Sequence, residues 1–123
     1  MRFIATFTLF IGLIAFSGAS MKIASTWLSG SGKVSWYGDR FHGKLTASGE
    51  KYDMHDFTAA HKTLPFGTKV KITNPNNGKS VIVEINDRGP YVKTRQFDLS
   101  RAAFAEIGNI DSGVISIEYE IVN

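Results

Sequence analysis

The chain contains no cysteine, so no disulfide can brace it and no thiol can act as nucleophile or metal ligand. Small exported domains commonly rely on disulfides because their cores are limited. Here packing and hydrogen bonding must suffice, which a domain of about 90–100 residues can manage. The GxSxG elbow, the phosphate-cradling glycine loop and the HExxH pair are also missing. Their absence removes the usual arrangements for serine nucleophiles, nucleotide binding and zinc hydrolysis. Charge of one sign is scarce as well. Setting Arg2 aside with the leading segment leaves 13 Lys and Arg against 11 Asp and Glu, a formal +2. That is too little to argue for a nucleic-acid partner. There are no internal repeats and no low-complexity blocks.

Only the start of the chain is continuously apolar. Met1-Arg2 is followed by a nearly unbroken apolar run of 14 residues from Phe3 to Phe16, then by Ser17-Gly18-Ala19. A positive start, a short apolar stretch and small residues predict a signal peptide over residues 1–19, cleaved after Ala19. The run is shorter than the roughly 20 residues a spanning helix needs, so no stable membrane anchor is expected; an uncleaved signal anchor is the alternative. Without cysteine there is no lipidation at the cleavage site. Export to a periplasm or medium follows, and the length allows one domain. Residues 20–32 read as a short polar leader with a Gly/Ser finish, and residues 33–123 as the domain.

Strand signals dominate that domain. Val34 to Tyr37 is rich in strand formers and ends at Gly38; residues 38–56 lack periodicity and read as an ordered loop; Pro65 to Thr68 marks a turn. Lys69 to Thr73 alternates, Asn77-Gly78 offers the positive φ of a hairpin turn, and Ser80 to Ile85 returns with Val81, Val83 and Ile85 on one face. Ser100 is placed as N-cap of a helix over 101–107, with Gly108 at its C′ position. In Val114 to Val122, Ile115, Ile117, Tyr119 and Ile121 share one face, opposite Ser116, Glu118 and Glu120. Short strands, one helix and long ordered loops predict a compact all-β barrel rather than a sandwich.

Five residues could carry chemistry. Asp87 follows an alternating strand and precedes Arg88-Gly89-Pro90, so it emerges where the sheet ends, as a general acid should. The plainer alternative is an aspartate that hydrogen-bonds turn amides. Glu50 and Asp53 lie in a polar loop; His61 follows Ala59-Ala60, a setting more typical of a hydrogen-bonded structural histidine; Asp98 could favour the start of the helix. The spacing of these groups predicts no metal site.

Taken together, the motifs resemble the RlpA-like family. Ser35-Trp36-Tyr37-Gly38, Phe41-His42-Gly43, Thr46-Ala47-Ser48-Gly49-Glu50 and Ala59-Ala60-His61-Lys62-Thr63-Leu64-Pro65-Phe66-Gly67-Thr68 all match. So do Val70 to Asn74, Asn86-Asp87-Arg88-Gly89-Pro90, Arg95 and Asp98-Leu99-Ser100, in family order over about residues 33–122. The resemblance implies a six-stranded double-psi β-barrel with one or two short helices. It also implies an endolytic lytic transglycosylase that cuts peptidoglycan glycan strands between N-acetylmuramic acid and N-acetylglucosamine, leaving 1,6-anhydro ends. By the same resemblance Asp87 is the acid/base, with Glu50 and His61 beside it as catalytic residues. Asp53, Tyr37 and Arg88 are substrate-binding, and Glu50 is expected to tune Asp87. Trp36, Tyr37 and Phe41 could present sugar with an apolar face, or simply pack in the core. No cofactor, no nucleic acid and a monomer are expected. Many members carry a lipobox cysteine and a carboxy-terminal SPOR module. This chain has no cysteine and stops at Asn123, so septal recruitment is not expected to carry over. The competing readings are a non-catalytic, expansin-like wall-binding module and an effector aimed at another cell's wall.

Overall fold

A computed structural model describes residues 28–122; the expected signal peptide and most of the expected leader lie outside the described residues. Among the described residues six strands occur: β1 (Ser29–Trp36), β2 (Thr58–Ala60), β3 (Lys69–Thr73), β4 (Ser80–Asp87), β5 (Arg95–Leu99) and β6 (Ile115–Ile121). They close into a barrel in the order β1-β5-β2-β4-β3-β6. One helix, α1 (Arg101–Ile107), and two single 3₁₀ turns complete it. Two neighbouring pairs, β1 with β5 and β2 with β4, run parallel. The other four pairs run antiparallel.

Alternation explains most of this. Val70 and Ile72 of β3, Val81, Val83 and Ile85 of β4, Phe97 and Leu99 of β5 and Ile117 of β6 point inward, as a period of two requires. Ala103, Phe104 and Ile107 of α1 join the same core. Ser100, fully buried, caps α1 by accepting from the Ala103 N–H at 3.2 Å and itself donates to the Asp56 carbonyl. Buried Asn74 ties the β3–β4 turn to the end of the helix, its Nδ2 donating to the Ile107 carbonyl at 2.8 Å.

Four expectations need correction. Residues 29–32, read as leader, are the first half of β1. Their glycines make room: a Cβ on Gly30 would lie 2.7 Å from the Tyr119 hydroxyl, and one on Gly32 2.2 Å from Gln96 Cγ. Strand β5 is absent from the sequence reading, because Phe97-Asp98-Leu99 offers a single alternation. In the β3–β4 turn only Gly78 takes positive φ, at +75°; Asn77 acts through its side chain, donating to the Ile107 carbonyl and accepting from the Lys79 N–H. Gly108 is extended, not left-handed, with φ −162°. Its lack of a side chain instead clears Ile115, whose Cδ1 would stand 3.0 Å from a Cβ there.

Candidate active site

Parallel pairing places the site. Strands β2 and β4 run the same way with Ala60 opposite Asp87, so the residue after β2 and the residue closing β4 meet at one barrel end. The His61 N–H donates to the Asp87 carbonyl at 3.2 Å. Tyr37 follows β1 directly and is pinned by its N–H to the Leu99 carbonyl of β5 at 3.0 Å.

The Asp87 carboxylate is half-buried and held from three directions. Oδ1 accepts from the Ala47 and Arg88 backbone N–H groups, each at 2.9 Å. Oδ2 accepts from the Tyr37 hydroxyl at 2.7 Å. Burial first, and the neighbouring Asp87 next, push the Tyr37 pKa up, so the phenol keeps its proton and remains a donor. Its ring is braced by Tyr52 at 4.8 Å and Phe41 at 6.0 Å between centroids. With both backbone donors on Oδ1, Oδ2 is the oxygen with a lone pair left for a transferable proton.

His61 is half-buried, with its ring 4.9 Å from that of Phe97. Its Nδ1 accepts from the Thr63 and Leu64 N–H groups at 3.1 and 3.0 Å, an assignment that puts the ring proton on Nε2. Burial, then Arg88, then Lys62 lower its pKa from 6.5. Arg88, read as a substrate contact, turns inward. Its Nη1 donates to the Leu64 carbonyl at 2.9 Å and the His61 carbonyl at 3.2 Å, and its guanidinium lies 4.0 Å from the Phe66 ring centroid.

Glu50 and Asp53 have hydrogen-bond or charge partners of their own in the loop before β2. Glu50 is exposed; its Oε1 accepts from Ser48 at 3.4 Å, and its backbone carbonyl holds Thr46. Asp53 accepts from the His55 N–H at 2.9 Å and lies 4.0 Å from His42 Nδ1. No described hydrogen bond joins either carboxylate to Asp87; Ser48, which donates to Glu50, follows Ala47, whose N–H donates to Asp87 Oδ1. Asp98 accepts from Ser35 across β1–β5 and pairs with Arg95 Nε at 3.4 Å. Trp36 packs against the core and donates to the Ile110 carbonyl at 3.2 Å. Sequence reasoning missed the Ala47 N–H, because a backbone donor leaves no side-chain signature.

A cleft of about 40 Å³ beside Asp87 is lined by Tyr37, Phe41, Lys44, Leu45, Thr46 and Tyr52. A larger hollow of about 500 Å³ lies over β1, β3 and β6, lined by Ser29, Lys71, Thr73, Glu118 and Glu120 among others. It contains none of the predicted site residues. Among the described residues no group of three or more His, Cys, Asp or Glu is placed to hold a metal, and no helix is long and apolar enough to cross a membrane.

A closed six-stranded barrel with two parallel pairs, matched to a family model, is a double-psi β-barrel domain. Residues 29–119 match the family model described as lytic transglycolase, and the chain belongs to that family. It is 53% identical over 92 residues to the endolytic peptidoglycan transglycosylase RlpA of Vibrio cholerae, covering 75% of this chain and 35% of that protein. It is 52% identical over 90 residues to the Neisseria meningitidis protein of the same name, covering 73% of this chain and 38% of that one. The chain thus spans little more than a third of the length of these curated relatives. Among solved structures, the Streptomyces papain inhibitor aligns with a TM-score of 0.64 at 28% identity, over 77% of this chain and 94% of that one. The Clavibacter michiganensis expansin aligns with a TM-score of 0.64 at 21% identity, over 78% and 51%. The second of these likenesses concerns the fold alone. The RlpA-like resemblance and the double-psi barrel are both borne out.

Proposed function

We propose that this chain is an endolytic peptidoglycan lytic transglycosylase, exported to the periplasm or medium, with Asp87 as its single acid/base. The observation that carries the reading is the Asp87 carboxylate at the end of β4, with Oδ1 taken by two backbone N–H groups and Oδ2 held by Tyr37. Protonated Asp87 donates its proton to the glycosidic oxygen as the bond from that oxygen to C1 of N-acetylmuramic acid breaks. The 6-hydroxyl oxygen of the same sugar bonds to C1, and its proton passes to the Asp87 carboxylate. One proton leaves and one returns, no water is consumed, and the carboxyl group is regenerated.

Such chemistry needs one carboxyl group, whereas a glycoside hydrolase needs two at fixed separation. That count leaves Glu50 and Asp53 to other roles: contacts to the glycan along the 42–55 loop, with Glu50 also tuning Asp87. Tyr37 donates to the acid and does not offer its hydroxyl to sugar; His61 presents Nε2–H.

The test is to incubate the purified chain with peptidoglycan and with glycan stripped of stem peptides, then identify products by mass spectrometry. Anhydro-muramic ends that vanish in Asp87→Asn are expected. Binding without product, where a known transglycosylase works, would replace the enzyme with a wall-binding module.

A further inference from the structure

We propose that Arg88 is a positioning residue, locking the His61 ring as a fixed Nε2–H donor beside Asp87 rather than contacting glycan. Its activity readout rests on the transglycosylase reading; its spectroscopic readout does not.

The geometry is a clamp. From the position after Asp87, the guanidinium reaches back across the barrel end to the turn that follows β2. Nη1 donates to the carbonyls of Leu64 and His61 at 2.9 and 3.2 Å, with the Asp87 carbonyl at 3.5 Å. Phe66, from the same turn, lies under the guanidinium at 4.0 Å. One side chain thereby joins the acid's own backbone to both ends of the His61–Leu64 segment. A planar donor that bonds at its edge while stacking on its face is a property of arginine that lysine does not reproduce.

The clamped turn in turn fixes the ring. Two backbone N–H groups, from Thr63 and Leu64, point at Nδ1, and a protonated imidazole would set a third N–H against them. The groups facing His61 all oppose a second proton: Arg88 from β4's end, Lys62 from its own segment, and the apolar Phe97 from β5. His61 is therefore a neutral hydrogen-bond donor in a set orientation, not a second acid. Sliding this turn by an ångström would move Nε2–H away from the sugar held against Asp87, a displacement that can cost about 100-fold in rate.

The experiment compares Arg88→Met and Arg88→Lys in the purified chain labelled with ¹⁵N. Imidazole spectra should report the Nε2–H tautomer for His61 in the parent, with a midpoint below 6.5. In Arg88→Met that midpoint should rise and the tautomers should mix. With soluble glycan strands, kcat should fall about 10–100-fold while KM changes less than about threefold. Arg88→Lys keeps the charge without the stacked fork, so it should hold the midpoint low and still lose rate. Should Arg88→Met fail to fold, Phe66→Leu substitutes for it: the Arg88 charge stays, so the midpoint should hold, while the tautomers should mix and kcat should fall by less. Unchanged His61 signals, or a raised KM with kcat intact, would overturn the proposal and make Arg88 a glycan contact. A parent without transglycosylase activity whose His61 midpoint still rises in Arg88→Met sinks the functional reading and leaves the clamp standing.

Discussion

Replacing Asp87 by asparagine and by alanine should separate its chemical role from its structural one. The carboxylate accepts from Ala47 N–H and Arg88 N–H at 2.9 Å and from Tyr37 at 2.7 Å. Asparagine keeps an oxygen for both backbone donors and turns its NH₂ toward Tyr37, whose hydroxyl has lone pairs and can reverse to accept. All three links survive, one of them inverted, so the loss in stability should stay within about 1 kcal/mol. Alanine leaves the part-buried Tyr37 hydroxyl and Arg88 N–H without partners, while water can replace the third bond at exposed Ala47. Two unsatisfied groups at about 1 kcal/mol each give about 2 kcal/mol. For a domain of this size that lowers the melting temperature by about 8–16 °C. Thermal unfolding followed by circular dichroism reads both variants, and asparagine should melt at least about 4 °C above alanine. If alanine melts with asparagine or above it, the carboxylate is not the centre of the network described here. Both variants should be inactive, so activity and stability dissociate only in asparagine.

Other perturbations probe the frame around the site. Ser100→Ala removes the cap of α1 and leaves the Asp56 carbonyl short of a donor; chemical denaturation should show a loss of about 1–2 kcal/mol. Gly30→Ala drives a methyl group into Tyr119, whose ring is held 5.2 Å from Phe97; a cost of about 1–3 kcal/mol is expected in the same assay. His61 titrates below 6.5 in the folded chain, so the unfolded chain binds the extra proton first. Its contribution to stability is therefore complete above pH 6.5 and declines as pH falls through the lower folded midpoint. Melting temperatures measured across that window should fall less steeply in His61→Gln than in the parent, and parallel curves would contradict the assignment.

Much of the barrel was legible because its strands alternate. Val81, Val83 and Ile85 of β4 and Ile115, Ile117 and Tyr119 of β6 state their inward faces in the sequence itself. What escaped was structure set by tertiary space. Gly30 and Gly32 look like linker residues until Tyr119 and Gln96 are seen filling the volume their side chains would take. The candidate site divides the same way. Asp87 is a candidate because it ends an alternating strand, but that pattern alone also fits a turn aspartate, and it is the family motifs that single out Asp87, Tyr37 and His61. Their hydrogen-bond partners are not legible in sequence: Tyr37 donates to Asp87 and Arg88 to backbone carbonyls. Spacing along a chain fixes which residues share a strand face, not which hydrogen-bond partner wins between solvent, ligand and main chain.

One contact to the Asp87 carboxylate affects how this protein should be read from variants. Ala47 serves Asp87 through its main-chain N–H, and its residue is otherwise exposed. Nearly any side chain can stand there without disturbing the bond, so tolerance at this position carries no news about its importance. An alanine scan passes over it blank, since alanine is already present. Only proline, which has no N–H to give, would register it, and a catalogue of tolerated substitutions would therefore place one of the three anchors of Asp87 among the residues that do nothing.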